Sequence, residues 1–305
     1  MQRHFKYNRL RHSDWLCAKV KREARAMTIM EMLVAMGILT VIVVGLLAMF
    51  QQTQRALRAS MTQTDVMETG RAVMDLMTRE IQQASAVKLP YENPVMFYGF
   101  TISNSINIFG ITNSANGLYP PLSQRRAGGA PNRVYDFEDL FFIIRQNRSW
   151  QGIGYFVNVT NNSGVGTLYR YVWTTNHSGA KYLYNDFLGE KAKFQNDPSL
   201  LGTYKTHRVA DGIVHLEAHF YDDSGVIYQN IISTNIIKFN NFALFMGNAL
   251  PFTVEIEIGV LEPPVLERIK GMPGASVRAF LEDERRAGQV HLFRQRIPVR
   301  SATIE

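Results

Sequence analysis

The hydrophobic pattern of the chain is dominated by one segment near its beginning. Nineteen consecutive uncharged and mostly apolar residues run from Met32 to Phe50, inside the segment MTIMEMLVAMGILTVIVVGLLAMF at 27–50. As an α-helix these residues span roughly 28 Å, which is close to the hydrocarbon thickness of a bilayer. Because the segment is apolar on every face, we interpret it as a transmembrane helix and not as the core helix of a soluble domain.

The helical period continues beyond Phe50 in a more polar form. Residues 51–89 carry apolar side chains at steps of mostly three and four residues, which predicts one stripe that packs on a folded domain. No proline precedes Pro90, so we predict one continuous helix from about Thr28 to Lys88. The predicted stripe consists of Leu57, Met61, Thr64, Met67, Met74, Met77, Ile81 and Ala84.

The pattern changes to β-strands in residues 90–305. Aromatic and β-branched segments separated by turn residues predict strands. These segments are 95–102, 139–146, 152–159, 166–173, 212–222, 252–261 and 290–299. A short helix is predicted at 277–287, whereas 110–133 and 176–206 match neither pattern and are predicted to be long loops. The predicted fold class is therefore α+β, with a long N-terminal α-helix packed on an antiparallel β-sheet head.

The formal net charge of +7 is concentrated before the apolar run. Residues 1–26 hold eight of the 33 Lys and Arg residues and two of the 26 Asp and Glu residues. The rest of the chain therefore carries 25 basic and 24 acidic side chains. Such a neutral body argues against nucleic-acid binding, which needs basic charge on the folded surface. A basic leader before an apolar run also predicts a cytoplasmic N-terminus and a head on the far side of the membrane.

The type of N-terminal signal depends on where cleavage is possible. A secretory signal peptide is cut at small residues after its apolar run, and residues 47–51 form a poor site. A lipoprotein signal needs a cysteine after the run, whereas the single cysteine, Cys17, lies before it. One cysteine also rules out an internal disulfide. The third type of signal is cut before the apolar run, so the helix stays in the mature protein.

The junction between the leader and the helix resembles a signal of this third type. The sequence Ala26-Met27-Thr28-Ile29-Met30-Glu31, followed by MLVAMGILTVIVVG, resembles the class III prepilin signal of type IV pilins and type II secretion pseudopilins. The resemblance implies cleavage between Ala26 and Met27 by a prepilin peptidase and methylation of the new Met27 amine. It places Glu31 at the fifth mature position, where the family has a glutamate. Ala26 replaces the usual glycine of the family, and Met27 replaces the usual phenylalanine.

Glu31 is the one charged residue at the edge of the apolar run. A carboxylate within a membrane helix costs up to about 3 kcal/mol, and such groups usually have a partner. Met27 and Glu31 lie one helical turn apart, so the Met27 amine released by cleavage can pair with Glu31 of the same chain or of a neighbouring subunit. The alternative is that the Glu31 side chain simply extends to the lipid headgroups.

A second resemblance concerns the order of segments in the head. Segments similar to those of J-type minor pseudopilins and W-type minor pilins follow one another along the chain. They are 70–85, 139–147, 166–173, 209–225 and 250–260. This resemblance implies a structural subunit near the tip of a short periplasmic pseudopilus, with I- and K-type minor pseudopilins as partners. It implies neither catalytic residues nor a cofactor.

These patterns together predict the organisation of the chain and its function. The predicted parts are a removed leader (1–26), a transmembrane and filament-core helix (27–50), a helical continuation (51–89) and a periplasmic β-rich head (90–305). The leading hypothesis is a minor pseudopilin of a type II secretion-like system in the inner membrane. One alternative is a type IV pilus minor pilin for adhesion or DNA uptake, and another is a single-pass anchored periplasmic enzyme or receptor.

The head contains only weak candidates for metal chemistry. It lacks the motifs of phosphate-binding loops, serine hydrolases and zinc metalloproteases, so we expect no enzyme activity. His215, Glu217 and His219 project from one face of a predicted strand and are candidate metal ligands, but the same alternation suits the solvated side of a strand. Asp222 and Asp223 are candidate calcium ligands or, alternatively, ordinary turn residues.

Overall fold

The structure, a computed structural model, describes most of the chain after the leader. The described residues are 28–86, 98–104, 122–125, 131–159, 163–196, 204–229, 236–239, 242–246 and 249–300. The chain divides into two compact units, one that ends at Leu57 and one that begins at Arg58. In the first unit the described residues are helical from Ile29 onward, and every other described element belongs to the second unit.

Helix α1 comprises Ile29–Ile81, so the prediction of a helix to about Lys88 is wrong at its end. After the helix the chain turns, Ala84 forms a β-bridge to the sheet, and the Ser85 N–H donates to the Ile143 carbonyl at 2.8 Å. Lys88 itself lies outside the described residues. The helix therefore ends where its backbone begins to pair with a strand, and the apolar period contains no information about that pairing.

The first part of α1 exposes its apolar side chains. Every large hydrophobic side chain from Ile29 to Phe50 is between 46% and 82% exposed within the chain. Thr40 lies inside this run and donates its hydroxyl to the Met36 carbonyl at 2.8 Å, so its polar group is satisfied without water. The helix is long and apolar enough to cross a membrane, as predicted.

The described residues of the second unit contain eleven strands in two sheets. The strands are β1 (Tyr98–Asn104), β2 (Leu122–Gln124), β3 (Arg133–Tyr135), β4 (Glu138–Gln146), β5 (Ser149–Val159), β6 (Gly166–Asn176), β7 (Thr206–Tyr221), β8 (Ile236–Phe239), β9 (Phe242–Met246), β10 (Thr253–Leu261) and β11 (Val290–Pro298). Nine form one sheet in the order β11-β10-β7-β6-β5-β4-β1-β9-β8, and β2 pairs with β3. All these pairs are antiparallel. The α+β prediction is therefore confirmed, and all seven predicted strand segments overlap strands of this sheet.

Helix α2 (Leu183–Asn196) occupies much of the stretch 176–206, for which the loop prediction is wrong. A short 3-10 helix, His177–Tyr182, leads into it. Asparagine, aspartate and glycine inside α2 weaken its helical signal in the sequence. The helix is stabilised instead by burial of Phe187 and Phe194, which pack on the sheet.

Several smaller elements also differ from the prediction. Helix α3 (Pro263–Ile269) was not predicted, although proline at its first turn is a usual starting signal. Helix α4 (Gly274–Glu282) ends before the predicted limit of 277–287. Asp283 stops it because its carboxylate accepts from the Arg285 N–H at 3.0 Å and caps a 3-10 helix. The short strands β2, β3, β8 and β9 are too brief to show alternation.

One face of the nine-stranded sheet is covered by the second part of α1. The inward residues of this helix are Val66, Gly70, Val73, Met74, Met77 and Ile81. The predicted stripe is therefore right for Met74, Met77, Ile81 and Ala84, which are buried. It is wrong for Leu57, Met61, Thr64 and Met67, which are exposed. The buried side of the helix includes Gly70, and a glycine does not contribute to an apolar period.

The opposite face of the sheet carries two further clusters. Phe141 and Phe142 are neighbours on β4 and point to opposite faces, as the pleat requires. Phe142 joins the cluster that includes α1, whereas Phe141 joins aromatic residues of β5, β6 and α2. Helices α3 and α4 and the β2–β3 ribbon form the other cluster, with Val214 and Leu261 of the large sheet at its base.

Candidate functional site at the start of the helix

Thr28 and Glu31 form a reciprocal hydrogen-bonded cap at the beginning of α1. The Glu31 carboxylate oxygen Oε2 accepts from the Thr28 backbone N–H at 3.0 Å and from the Thr28 hydroxyl at 3.2 Å. In return, the Glu31 backbone N–H donates to Thr28 Oγ1 at 3.3 Å. This arrangement is a capping box, in which two backbone donors of the first helical turn are satisfied by side chains.

The cap explains why a carboxylate is tolerated at this end of an apolar helix. The negative charge of Glu31 lies near the positive end of the helix dipole, and Oε2 already has two donors. An ionised carboxylate has about four acceptor positions, and among the described residues no hydrogen bond uses Oε1. The site is exposed, and the residue before Thr28 is Met27, which would supply an ammonium group after cleavage.

The sequence contains the signal for this cap, although Thr28 is not among the predicted site residues. The spacing Thr-x-x-Glu directly before an apolar run is the usual signature of a capping box. Ala26 and Met27 lie outside the described residues. Cleavage between them, methylation of Met27 and the pairing of its amine with Glu31 therefore stay predictions.

The structure places the predicted histidine cluster beneath the β2–β3 ribbon. His215 is only 3% exposed, and its Nδ1 accepts from the Asp136 N–H at 3.0 Å. Its Nε2 lies 3.4 Å from one oxygen of Glu217, and His219 Nε2 lies 3.5 Å from the other. The three side chains share one face of β7, as predicted, but the solvated-side interpretation is wrong for His215. Within the described residues no group of three such side chains has metal-binding geometry.

The Asp222 carboxylate accepts hydrogen bonds from other residues of the same turn. Its Oδ1 accepts from the Ser224 hydroxyl and the Val226 N–H, both at 2.7 Å, and these bonds lower the pKa of the carboxyl. Gly225 adopts a positive φ of 78°, which completes the turn. The prediction of a turn at Asp222 and Asp223 is therefore confirmed.

A buried carboxylate on β10 was not predicted. Glu255 is 2% exposed, and the Nε groups of Arg294 and Arg296 on β11 both donate to it. The Tyr221 hydroxyl on β7 donates to it at 3.1 Å. Burial by itself raises the pKa of Glu255, but the hydrogen bonds from Arg296 and Tyr221 and the charge of Arg294 outweigh it, so the pKa lies below its ordinary value. No local sequence pattern indicates a cluster whose members come from three strands.

Comparison with known proteins found no match. No protein-family model matches the chain, and no curated protein matches it. The architecture itself, an apolar N-terminal helix whose second part packs on an antiparallel sheet, is compatible with a pilin-like shape.

Proposed function

We propose that this chain is the precursor of a minor pseudopilin, a structural subunit of a type II secretion-like pseudopilus. The observation that carries the proposal is the lone carboxylate of Glu31, held by Thr28 at the first turn of a helix that then exposes only uncharged residues from Met32 to Phe50. A single-pass anchor needs the apolar run and gains only a helix cap from Glu31, which an uncharged glutamine would also form. A subunit that assembles through this helix needs the apolar run for the filament core and the charge of Glu31 for pairing with an ammonium group.

The proposed maturation begins at the leader. The basic residues before Met27 keep the N-terminus in the cytoplasm, and the head lies in the periplasm. A prepilin peptidase in the inner membrane cuts between Ala26 and Met27, and the Met27 amine is methylated. The chemistry is performed by the peptidase, and the chain contributes a small residue before the bond and an uncharged residue after it.

The new ammonium group is the proposed partner of Glu31. Inside a membrane or a packed helix bundle, water is scarce and opposite charges attract more strongly than at a protein surface. The Oε1 atom of Glu31, which no described residue uses, can accept from the Met27 amine of the same chain or from that of an adjacent subunit while Oε2 maintains the cap. Pairing between subunits would neutralise both charges and fix the axial offset of neighbouring helices.

The proposed role of the mature protein is structural. The helix anchors the subunit and enters the filament core, and the head is presented in the periplasm near the tip. Other pseudopilins, including I- and K-type subunits by resemblance, are its proposed partners. The near-neutral mature chain gives no electrostatic reason to expect a nucleic acid among them.

Mass spectrometry of the mature N-terminus tests the proposal. We expect a chain that begins at methylated Met27 when the protein is produced with a prepilin peptidase, and an uncut chain without it. Ala26→Leu should block cleavage, because it places a bulky side chain before the bond. Ala24→Leu is the matched control and should be cut normally. An uncut wild-type chain, or one cut after Phe50, would overturn the proposal.

A further inference from the structure

Strand β11 forms one edge of the nine-stranded sheet. Its nine residues, Val290–Pro298, pair with β10 in one unbroken register. No described strand lies on its other side. The opposite edge of the sheet, β8, has four residues. Among the described strands, β11 therefore presents the longer open edge, and an open edge is a template for another strand.

The direction of each backbone group on β11 follows from the bonds that flank the β10–β11 ladder. The Glu262 N–H donates to the Gln289 carbonyl at 3.1 Å, and the Val299 N–H donates to the Phe252 carbonyl at 3.0 Å. In an antiparallel ladder, alternate residues turn both backbone groups to the partner strand. The odd-numbered residues of β11 therefore bond to β10, and the even-numbered residues turn their backbone groups to the free edge. These outward residues are Val290, Leu292, Arg294, Arg296 and Pro298.

Pro298 fits this assignment. A proline has no N–H, so it disrupts a sheet only where that N–H would have been used in the ladder. At an outward position the missing N–H removes no hydrogen bond between β10 and β11. Val290 is buried and directly follows the 3-10 helix Glu284–Gln289, so the outward residues that offer N–H donors along the edge are Leu292, Arg294 and Arg296.

The charged side chains of β11 do not protect the edge. Proteins often prevent strand addition by extending charged side chains across an open edge. Here Arg294 and Arg296 are held in the other direction, because both donate to Glu255 on the inner strand β10. Arg294 Nε also lies 3.7 Å from Glu257 on that strand. The outer backbone of β11 is therefore left uncovered by the side chains that would be expected to guard it.

The same two arginines favour acidic side chains in the added strand. Arg294 and Arg296 remain 57% and 65% exposed, and each guanidinium has five donors, more than Glu255 and its neighbours use. They lie on one face, two residues apart, so they match carboxylates at alternate positions of an extended segment. A second copy paired antiparallel through β11 would bring the arginines of both copies to the same face, where like charges repel.

We propose that the free edge of β11 binds an extended acidic segment of a different protein by strand addition. Backbone hydrogen bonds to the outward groups of residues 292–296 would hold the segment, and carboxylates at alternate positions would bind Arg294 and Arg296. The site lies in the head and does not require cleavage of the leader. It can therefore be tested, and can fail, independently of the proposed pseudopilin function.

Hydrogen exchange of the full chain in detergent tests the proposal. The probe is a blocked peptide of about ten residues in which glutamate and valine alternate, and the control peptide has lysine in place of each glutamate. We expect the acidic probe to slow exchange of the outward amides Leu292, Arg294 and Arg296 by roughly tenfold or more, with little effect on the already bonded odd-numbered amides. The basic peptide should cause no slowing, and added salt should weaken the acidic probe.

Two substitutions sharpen the test. Arg294→Pro removes an outward N–H and one guanidinium but no β10–β11 ladder bond, so the sheet should form and the affinity for the acidic probe should fall at least about tenfold. Lys270→Gln removes an exposed positive charge elsewhere in the head and should leave the affinity unchanged. If Arg294→Pro does not fold, the comparison of the two peptides on the wild-type chain still decides the matter.

Three results would overturn the proposal. The first is no slowing of the outward amides at millimolar probe, and the second is equal slowing by the acidic and basic peptides. The third is slowing that depends on protein concentration without any probe. That last result would identify a second copy of this chain as the occupant of the edge.

Discussion

Glu80, near the end of α1, forms an ion pair with Arg170 on β6, ninety residues later in the chain. Arg170 Nε donates to Glu80 Oε2 at 3.0 Å, a second guanidinium nitrogen donates to Oε1, and the Tyr155 hydroxyl on β5 donates to Oε2 as well. The side chains of Arg170 and Glu80 are 22% and 12% exposed. The helix is therefore held to two central strands of the sheet, β5 and β6, by a contact one residue before it ends at Ile81.

Glu80→Gln should destabilise the head. The substitution leaves the half-buried Arg170 guanidinium without its counter-charge, and removing one partner of a buried pair typically costs about 3 kcal/mol. Urea unfolding followed by circular dichroism would measure the free energy of unfolding. Glu267→Gln breaks the exposed pair with Lys270 and is the matched control, with an expected change below about 0.5 kcal/mol. Equal stability of the Glu80→Gln variant and the wild type would show that the pair does not stabilise the helix on the sheet.

Gly70→Ala should also destabilise the head, although alanine is usually the better helix residue. The ring of Phe293 fills the space that a Cβ on Gly70 would occupy, so the methyl group forces the helix or the ring to move. We expect a loss of about 1–3 kcal/mol from overpacking. Gly189→Ala in α2 is the control, since nothing lies within 4 Å of its Cβ position. It should raise the melting temperature, in line with a gain of up to about 1 kcal/mol.

A rise in stability for both glycine substitutions would contradict the packing seen between α1 and β11. The double variant Gly70→Ala/Phe293→Leu separates the two explanations. If the clash with the ring is the cause, the smaller leucine should recover part of the stability lost by Gly70→Ala.

The contribution of Glu255 to stability should depend on pH. Its pKa is lower in the folded chain than its ordinary value of 4.5, so the ionised carboxylate stabilises the fold above that pH. This stabilisation is lost as the pH falls through the folded-state value. Glu255→Gln lacks it at every pH. The wild type should therefore exceed the variant by about 2 kcal/mol at pH 7, and the difference should shrink below about pH 4.5.

Urea unfolding at a series of pH values would measure this difference. Glu257→Gln is the control on the same strand, because its nearest cation, Arg294, lies 3.7 Å away and is exposed. Its stability should stay close to the wild type, within about 0.5 kcal/mol. A difference between the wild type and Glu255→Gln that stays constant from neutral to acidic pH would argue against the ionised group.

Glu31→Gln separates the two roles proposed for Glu31. Glutamine can replace glutamate in a capping box, so the helix should start normally, but the amide cannot neutralise the Met27 ammonium. We expect Glu31→Gln and Glu31→Ala to insert into the membrane and to be poorly incorporated into filaments or tip complexes. Thr28→Val removes the hydroxyl of the cap without changing the charge, at a cost of about 1 kcal/mol to the helix end.

Co-purification of each variant with the assembled filament would measure incorporation, and circular dichroism in detergent would monitor the helix. If Glu31→Gln assembles normally whereas Glu31→Ala and Thr28→Val do not, the cap is what matters and the charge pair is not needed. Normal assembly of all three variants would remove Glu31 from the assembly mechanism.

The elements that could be predicted are those whose signal lies within a few residues. The apolar run to Phe50, the strands that became β4 to β7 and the turn at Asp222 each follow from local periodicity or turn chemistry. Thr28 could also have been found, because a capping box is a four-residue pattern. Helix α2 could not, because it is stabilised by Phe187 and Phe194 packing on strands far away in the sequence.

The amino-acid sequence alone was enough to predict the membrane-capable helix, the excess of basic residues before it, the position of Glu31 at its start and the α+β class. These properties depend on composition and on short periods of apolar residues, and both are present within a single segment of the chain. The three-dimensional fold was needed to establish where α1 ends, which of its sides packs, and that Glu255, Arg294 and Arg296 meet beside an open edge. Those outcomes depend on contacts between distant segments, since strand order and close packing are set by the fold as a whole.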